Sequence, residues 1–340
     1  MIPTPYFLYL GHSADPADIK TSRGLATFRR HDCIGELRYD DCPLTLDLPR
    51  LTIAEAATAG AKTLVLGIAV AGGRLTDPLI ADALAAIGAG MNVASGLHQR
   101  LRDQPVLQDA AEAAGVSLFD VRDPPADLPV GNGRRRAGKR LLTVGTDCST
   151  GKMFTTLALT DALRARGVAA DFRATGQTGI LVAGAGIPVD AVVADFIAGA
   201  IEVLSPARLD GGWDLIEGQG SLFHPSFAGV STGLLHGAQP DALVLCHDPS
   251  RPHLRGLPHY PLPQVACCIE ENLRVAALTN PGVIAVGIAL NTSRLGEDEA
   301  RRLCEETAAD NGLPCTDPYR FGAMPIVDML LARFADVAAA

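Results

Sequence analysis

One stretch constrains the fold more than any other: residues 141–156 read Leu-Leu-Thr-Val-Gly-Thr-Asp-Cys-Ser-Thr-Gly-Lys-Met-Phe-Thr-Thr. An apolar β-type run stops at Gly145, a loop of small residues follows, and Gly151 and Lys152 open an amphipathic helix. A strand feeding a helix through such a loop curls backbone N–H groups around an anion. The helix N-terminus adds positive potential, and a lysine adds a point charge. Gly145, Thr146, Asp147, Cys148, Ser149, Thr150, Gly151, Lys152 and Met153 are therefore expected to bind a phosphorylated cofactor. The loop departs from the usual phosphate-loop spacing, because five residues rather than four separate Gly145 from Gly151. Met153 also stands where a Ser or Thr normally holds Mg²⁺ against a nucleoside triphosphate. Thr155 and Thr156 are the nearby hydroxyls open to replace it. The pattern supports phosphate binding and gives no support for phosphate hydrolysis.

Charge and hydropathy narrow the function classes. A net charge of −9 argues against a general binder of nucleic acid or membrane surfaces. Arg134, Arg135, Arg136, Lys139 and Arg140 form a local exception, read either as a solvated linker or as the border of a ligand mouth. No apolar run reaches the ~18 residues of a membrane span, and 2–5 lead directly into a strand with no leader pattern. The eight cysteines show no paired metal-finger spacing, so no metal is assigned and a reducing cytoplasm is the expected compartment.

Along the chain, strand patterns at 6–10, 62–67, 91–94 and 116–120 alternate with helical patterns at 52–59, 77–90 and 106–115. Such alternation implies βαβ units and a parallel sheet, here a Rossmann-like domain over 1–130. No G-x-G-x-x-G follows its first strand, and the Gly72-Gly73 pair reads as a tight turn, so no nicotinamide cofactor is assigned. A Pro- and charge-rich linker at 131–140 leads into a second domain, 141–340. There a helix at 151–166 is stopped by Gly167, and strands are expected at 168–172, 213–217, 242–246 and 283–290. Helices are expected at 189–203, 265–278, 297–311 and 324–334, giving a P-loop NTPase-like doubly wound parallel sheet.

In such a sheet the carboxyl ends of the strands face the ligand crevice. Glu217 ends one strand, placed either to hold a metal or to act as a general base, and His224 follows as a second proton acceptor. Thr175 and Gln177 lie in a polar turn after another strand, suited to orienting a ligand. Asp195 and Glu202 are seven residues apart on an expected helix, with Gly199 between them. Arg173 and Arg251 could clamp a carboxylate bidentately, with Arg255 close by. Asn291 ends a further strand, either to read a purine edge or to form a turn. Cys148 lies where a helix dipole lowers a thiol pKa, which leaves an acyl-cysteine and simple packing both open.

Taken together, Gly145-Thr146-Asp147-Cys148…Gly151-Lys152-Met153, 174–179, 195–199, Glu217-Gly218-Gln219-Gly220-Ser221…His224-Pro225 and 287–291 resemble one family. Lys20-Thr21 and 95–98 extend the likeness into the N-terminal half, so it covers nearly the whole chain. The family is a set of two-domain P-loop proteins long catalogued as a domain of unknown function. Some members are described as DgcN-type D-glutamate N-acetyltransferases. The resemblance implies acetyl transfer from acetyl-CoA to the amine of a D-amino acid, D-glutamate first. Coenzyme A has a pyrophosphate and an adenine that a loop without a Mg²⁺ hydroxyl can still hold. Glu217 or His224 is then the base, with Arg173 or Arg251 on the substrate. The alternative is an ATP- and Mg²⁺-dependent kinase or ligase, with Glu217 and Asp195 on the metal and Asn291 on adenine. The partners expected are a small amino-acid substrate and a second copy of the chain in a homo-oligomer.

Overall fold

A computed structural model describes residues 2–16, 18–68 and 73–335. It divides into two compact units: unit 1 comprises Met1–Pro124 with Gly176–Pro188, and unit 2 comprises Pro125–Thr175 with Val189–Ala340.

Unit 1 runs β1 (Tyr6–Gly11), α1 (Lys20–Phe28), β2 (Cys33–Arg38), α2 (Ile53–Thr58), β3 (Thr63–Leu66), α3 (Asp77–Gly88), β4 (Asn92–Ser95), α4 (Pro105–Ala114) and β5 (Leu118–Asp120). The strands pair in parallel in the order β2-β1-β3-β4-β5, a doubly wound sheet. Helices on both faces bury β1 along its whole length, which is why Tyr-Phe-Leu-Tyr-Leu reads as an unbroken apolar run. Thr52 and Glu55 form a reciprocal capping box that starts α2. Two elements here lie outside the sequence expectation. Helix α1 carries Thr21, Ser22 and Gly24 on its buried side, so it shows little apolar periodicity. Strand β2 contains Glu36, fully buried and bonded by Arg38 Nε at 2.8 Å, Thr45 Oγ1 at 2.8 Å and the Leu46 N–H at 2.7 Å. A satisfied internal carboxylate breaks the apolar pattern without breaking the strand. Gly72 lies outside the described residues.

Unit 2 begins with β6 (Lys139–Gly145), α5 (Lys152–Ala165) and β7 (Ala170–Arg173). The chain then enters unit 1 as α6 (Gln177–Ala183), and the Val189 N–H bonds the Thr175 carbonyl at 3.1 Å where unit 2 resumes. There follow α7 (Ile197–Leu204), β8 (Trp213–Ile216), α8 (Ala228–Ala238), β9 (Ala242–His247), the short antiparallel pair β10 (His253–Leu254) and β11 (Leu257–Pro261), α9 (Val265–Ala277), β12 (Ile284–Leu290), α10 (Glu297–Asn311), β13 (Cys315–Thr316) and α11 (Met324–Ala335). The main sheet is parallel throughout, ordered β13-β12-β9-β6-β8-β7. Strand β6 sits between β8 and β9, so the strand order reverses at the loop that follows it, where ligands bind in such sheets. Leu141, Leu159, Leu163, Leu215, Val244, Ile326 and Leu330 make the core.

Several expectations change on folding. The segment 189–203 is not one helix: 3-10 turns at Val189–Ala191 and Ala194–Phe196 precede α7, which puts Asp195 and Glu202 in different elements. Helix α8 has Gly229, Gly233 and Gly237 in its sequence, which lowers helix propensity. Gly237 permits close approach to the backbone of Ala198, and Gly199 does the same for Pro129 and Val130. Within the basic cluster, Arg136 Nη2 donates to the Gly237 and Ala238 carbonyls at the end of α8. Arg140 is buried in β6 and bonds Ser205 Oγ and the Ala137 carbonyl. These two arginines are structural caps, neither solvated linker nor ligand border.

The fully buried Asp214 of β8 gathers Arg208 Nη1 at 2.8 Å, Arg173 Nη2 at 3.0 Å and Ser205 Oγ at 2.6 Å. Asp214→Ala strands two guanidinium groups beside a void and is expected to cost about 3–5 kcal/mol. The denaturant midpoint of the purified variant checks this, with Asp214→Asn falling between variant and wild type.

Candidate active site

The site is built at the carboxyl edge of the unit 2 sheet. After β6 the chain forms the loop 146–151, and the Thr146 N–H bonds the Cys246 carbonyl of β9 at 3.1 Å. Asp147 is fully buried. Its Oδ1 accepts the Cys148 N–H at 2.7 Å, and its Oδ2 accepts Arg251 Nη1 at 3.0 Å and the Arg255 N–H at 2.8 Å. Ser149 takes a positive φ of +54° and Gly151 one of +99°, which folds the loop tightly onto α5. The first bond of that helix is Thr155 N–H to the Gly151 carbonyl. The Lys152 and Met153 N–H groups therefore have no carbonyl to reach within the helix, and the positive end of the dipole faces the loop.

A second loop, after β8, is stitched to the first. The Gly218 N–H donates to Thr143 Oγ1 at 3.0 Å, and Ser221 Oγ donates to the Thr146 carbonyl at 3.1 Å. Glu217 is buried; its Oε2 accepts the Thr175 N–H at 3.0 Å and its Oε1 accepts Gln219 Nε2 at 3.3 Å. Gly218 has to be glycine, since a Cβ there would overlap the Thr143 carbonyl. His224 is buried, receives the Ser226 N–H at Nδ1 (3.2 Å), and holds Nε2 3.3 Å from the Arg255 carbonyl. A ring nitrogen of His224, Cys148 Sγ and an Asp147 oxygen all lie within 4.8 Å of one another, a set that could hold a metal ion.

Unit 2 thus brings together the loop residues, Glu217, His224 and Thr175, and places Arg251 and Asn291 beside them. Their roles are specific. Lys152 is 5% exposed, and its Nζ donates to the Asp147 carbonyl at 2.7 Å, back into the loop. Burial holds its pKa below the ordinary lysine range, opposed first by the Cys148 sulfur, then by Cys246 and Asp147. The hydroxyls considered as Mg²⁺ ligands turn inward: Thr155 bonds the Cys246 thiol, and Thr156 bonds Thr143 Oγ1 and the Lys152 carbonyl. Arg251 is a loop brace, spending Nε on Asp248, Nη1 on Asp147 and the Cys148 carbonyl, and Nη2 on the Ser149 carbonyl. Arg173 is engaged by Asp214. Asn291 Oδ1 accepts the Ser293 N–H at 3.3 Å, a turn-forming contact. Gln177 belongs to unit 1, where its Oε1 accepts Arg122 Nη2 at 3.1 Å. Glu202 clasps the N–H groups of Asn132 and Gly133.

Two residues carry contacts at the loop to which the sequence reading gave no role of their own. Arg255 is exposed at the loop and donates from Nη1 to Ser149 Oγ at 2.6 Å, leaving other donors of its fork over. His247 ends β9 with Nδ1 3.0 Å from Thr146 Oγ1. His247 comes to the loop because β9 pairs in parallel with β6, and Arg255 because its N–H bonds the Asp147 carboxylate. In unit 1 a cavity of about 340 Å³ is lined by Tyr6, Phe119, Ile180 and Leu181, and its Arg102 and Asp120 pair with each other at 3.0 Å.

Burial lowers the His247 pKa from its ordinary 6.5, with Asp248 opposing and Arg251 assisting. The folded chain therefore resists a proton that the unfolded chain accepts. Stability is expected to fall as pH drops below about 6.5 toward the folded value. Urea unfolding between pH of about 7.5 and about 5 should show this slope, reduced in His247→Gln.

The fold and site define a two-unit α/β protein, Rossmann-like in one unit and P-loop in the other, whose loop leads into a helix N-terminus and has Met153 where a hydroxyl usually follows the lysine. The chain belongs to the DUF1611 family. Residues 129–327 match the model described as the domain of unknown function DUF1611_C P-loop domain, and residues 39–124 match the DUF1611_N Rossmann-like domain. A D-glutamate N-acetyltransferase of Tritonibacter scottomollicae is 48% identical over 332 residues, covering 98% of this chain and 100% of the relative. Another D-glutamate N-acetyltransferase, from a Pseudoalteromonas species, is 48% identical over 96% of this chain and 98% of its own. The crystal structure of a DUF1611 family protein from Anabaena variabilis ATCC 29413 superposes with a TM-score of 0.89 at 35% identity, covering 97% of this chain and 100% of that one.

Proposed function

We propose that this chain is an N-acetyltransferase that moves an acetyl group from acetyl-CoA to the amine of a D-amino acid, D-glutamate first. The observation that carries the reading is the 48% identity, over 98% of the chain, with a D-glutamate N-acetyltransferase. The site chemistry supports it. Acyl transfer to an amine needs a base for the ammonium, a positive environment for the carbonyl oxygen as it becomes an oxyanion, and cations for the substrate carboxylates. Glu217 is the base in this reading: a buried carboxylate at a strand end, fixed by Thr175 and Gln219. His224 is the second proton-carrying group. The N-terminus of α5 supplies the positive potential. Arg255, with donors to spare, takes a substrate carboxylate, while Arg251 keeps the loop in shape.

The ATP–Mg²⁺ reading has less to stand on. Met153 offers no hydroxyl, Thr155 and Thr156 spend theirs in the core, and Lys152 turns back onto the loop. The test is release of free thiol from acetyl-CoA with D-glutamate, L-glutamate and other D-amino acids as acceptors, beside calorimetry with acetyl-CoA and with ATP–Mg²⁺. Acetylation of D-glutamate in preference to its mirror image is expected. Tight ATP–Mg²⁺ binding with no acetyl-CoA binding overturns the reading. Glu217→Gln should lower kcat by about 10²- to 10⁴-fold with an unchanged circular dichroism spectrum.

A further inference from the structure

We propose that Asp147, Cys148 and His224 form a site for a zinc-class divalent ion, held by one carboxylate, one thiolate and one imidazole, with a fourth position open to the carbonyl oxygen of the acetyl thioester. The site follows from the donors themselves; its part in the reaction rests on the acetyltransferase reading. An Asp147 oxygen, Cys148 Sγ and a His224 ring nitrogen lie within 4.8 Å of one another, and no other three such donors converge so closely among the described residues. They come from two loops, one after β6 and one after β8, which Ser221 Oγ ties together through the Thr146 carbonyl. Around a tetrahedral zinc such donors stand about 3.4–3.8 Å apart, so small side-chain rotations close the set. The donor types select the ion. Magnesium and calcium take oxygen ligands, whereas a mixed sulfur, nitrogen and oxygen set suits zinc. Three protein ligands also leave a catalytic position open, where a structural site closes with four.

The surroundings orient these ligands as metal sites require. Asp147 Oδ2 is filled by Arg251 Nη1 at 3.0 Å and the Arg255 N–H at 2.8 Å, while Oδ1 accepts the Cys148 N–H at 2.7 Å and keeps a second lone pair. Arg255 serves the histidine too, since its carbonyl lies 3.3 Å from His224 Nε2. With Nε2–H on that carbonyl, Nδ1 carries the lone pair for the metal, and the Ser226 N–H now 3.2 Å from it gives way. One backbone residue thus fixes two of the ligands. The His224 ring also packs on Phe227, with centroids 4.6 Å apart. Asp147 and His224 are buried and Cys148 is partly exposed, so the way in lies on the Cys148 side. Two cations stand close by: the Arg251 guanidinium on Oδ2, and Lys152 Nζ, which turns to the Asp147 carbonyl at 2.7 Å. The thiolate and the carboxylate cancel the two charges of the ion, so these cations face a neutral centre.

In the reaction the open position takes the thioester carbonyl oxygen, and the ion stabilises the negative charge that grows there as the amine attacks. Glu217 receives one proton from the substrate ammonium. The N–C bond forms, the C–S bond breaks, and the coenzyme leaves as a thiolate that takes up the second amine proton. In this assignment His224 is a ligand, which leaves proton transfer from the amine to Glu217.

The test uses the full-length protein, purified without an affinity tag or chelator. Elemental analysis is expected to find about one zinc per chain, and cobalt(II) in its place should show the intense near-ultraviolet absorption of a thiolate-bound metal. Cys148→Ala and His224→Ala should each weaken zinc binding by about 10²-fold or more, measured in competition with a chromogenic chelator, with an unchanged circular dichroism spectrum. Stripping zinc from the wild type should lower kcat by about 10²-fold or more, and stoichiometric zinc should restore it. An acetylating wild type that neither carries zinc nor takes it up at micromolar concentration overturns the proposal without any variant having to fold. So does zinc held equally tightly by both variants, or a stripped protein whose turnover is unchanged; in all three cases the acetyltransferase reading survives. A protein that binds zinc through Cys148 and His224 but moves no acetyl group supports the site and removes that reading. One that does neither removes both.

Discussion

A carboxylate sealed from solvent, that of Asp147, holds the working edge of this protein together. It draws the Cys148 N–H, the Arg251 guanidinium and the Arg255 N–H onto two oxygens, and so joins the turn after β6 to the chain that follows β9. Charge-assisted bonds of this kind are worth more inside a protein than in water, and the loss of any partner leaves a costly unpaired group. The turn is thus defined by tertiary contacts as much as by its glycines. Its left-handed residue at Ser149 persists because Arg251 grips the Ser149 carbonyl and Arg255 its hydroxyl.

From that constraint follows what the loop can and cannot do. In a nucleotide hydrolase the lysine reaches out to phosphate, and the next hydroxyl grips magnesium. Here Lys152 bends back to the Asp147 carbonyl, Met153 has no oxygen to offer, and two threonine hydroxyls are absorbed by β6, β9 and the helix itself. The architecture of a phosphate loop is kept without the hydroxyl that usually follows the lysine. What remains is a helix N-terminus beside Cys148 and His224, with the buried Glu217 at the end of the adjoining strand.

The division into two units adds a lesson about reading turns. Residues 174–179 look like one polar turn, yet Thr175 holds Glu217 in unit 2 while Gln177 starts a helix that packs in unit 1. The chain leaves unit 2 after Thr175 and returns at Val189, whose N–H bonds the Thr175 carbonyl. Likewise Arg173 and Arg251, both plausible as substrate clamps from their place after strands, are engaged by Asp214 and Asp147. A buried acid captures the nearest guanidinium, and no local pattern announces which one that will be.

The apolar runs of the parallel strands and the small-residue loop before Lys152 were enough to establish two α/β sheets with a strand–loop–helix turn of the P-loop kind. Burial on both faces imposes such runs, and close approach of backbone imposes such loops. The family likeness was equally legible, because it lies in short motifs at strand ends. Polar-faced α1, glycine-bearing α8 and the charged strand β2 were hidden, since their stability comes from contacts with distant partners. The same holds for the site. Sequence nominated Glu217, His224 and Cys148 one at a time. Only the folded chain set Cys148 and His224 within 4.8 Å of each other and tied Glu217 to Thr175 and Gln219, because side chains far apart along a chain meet where parallel strands end together.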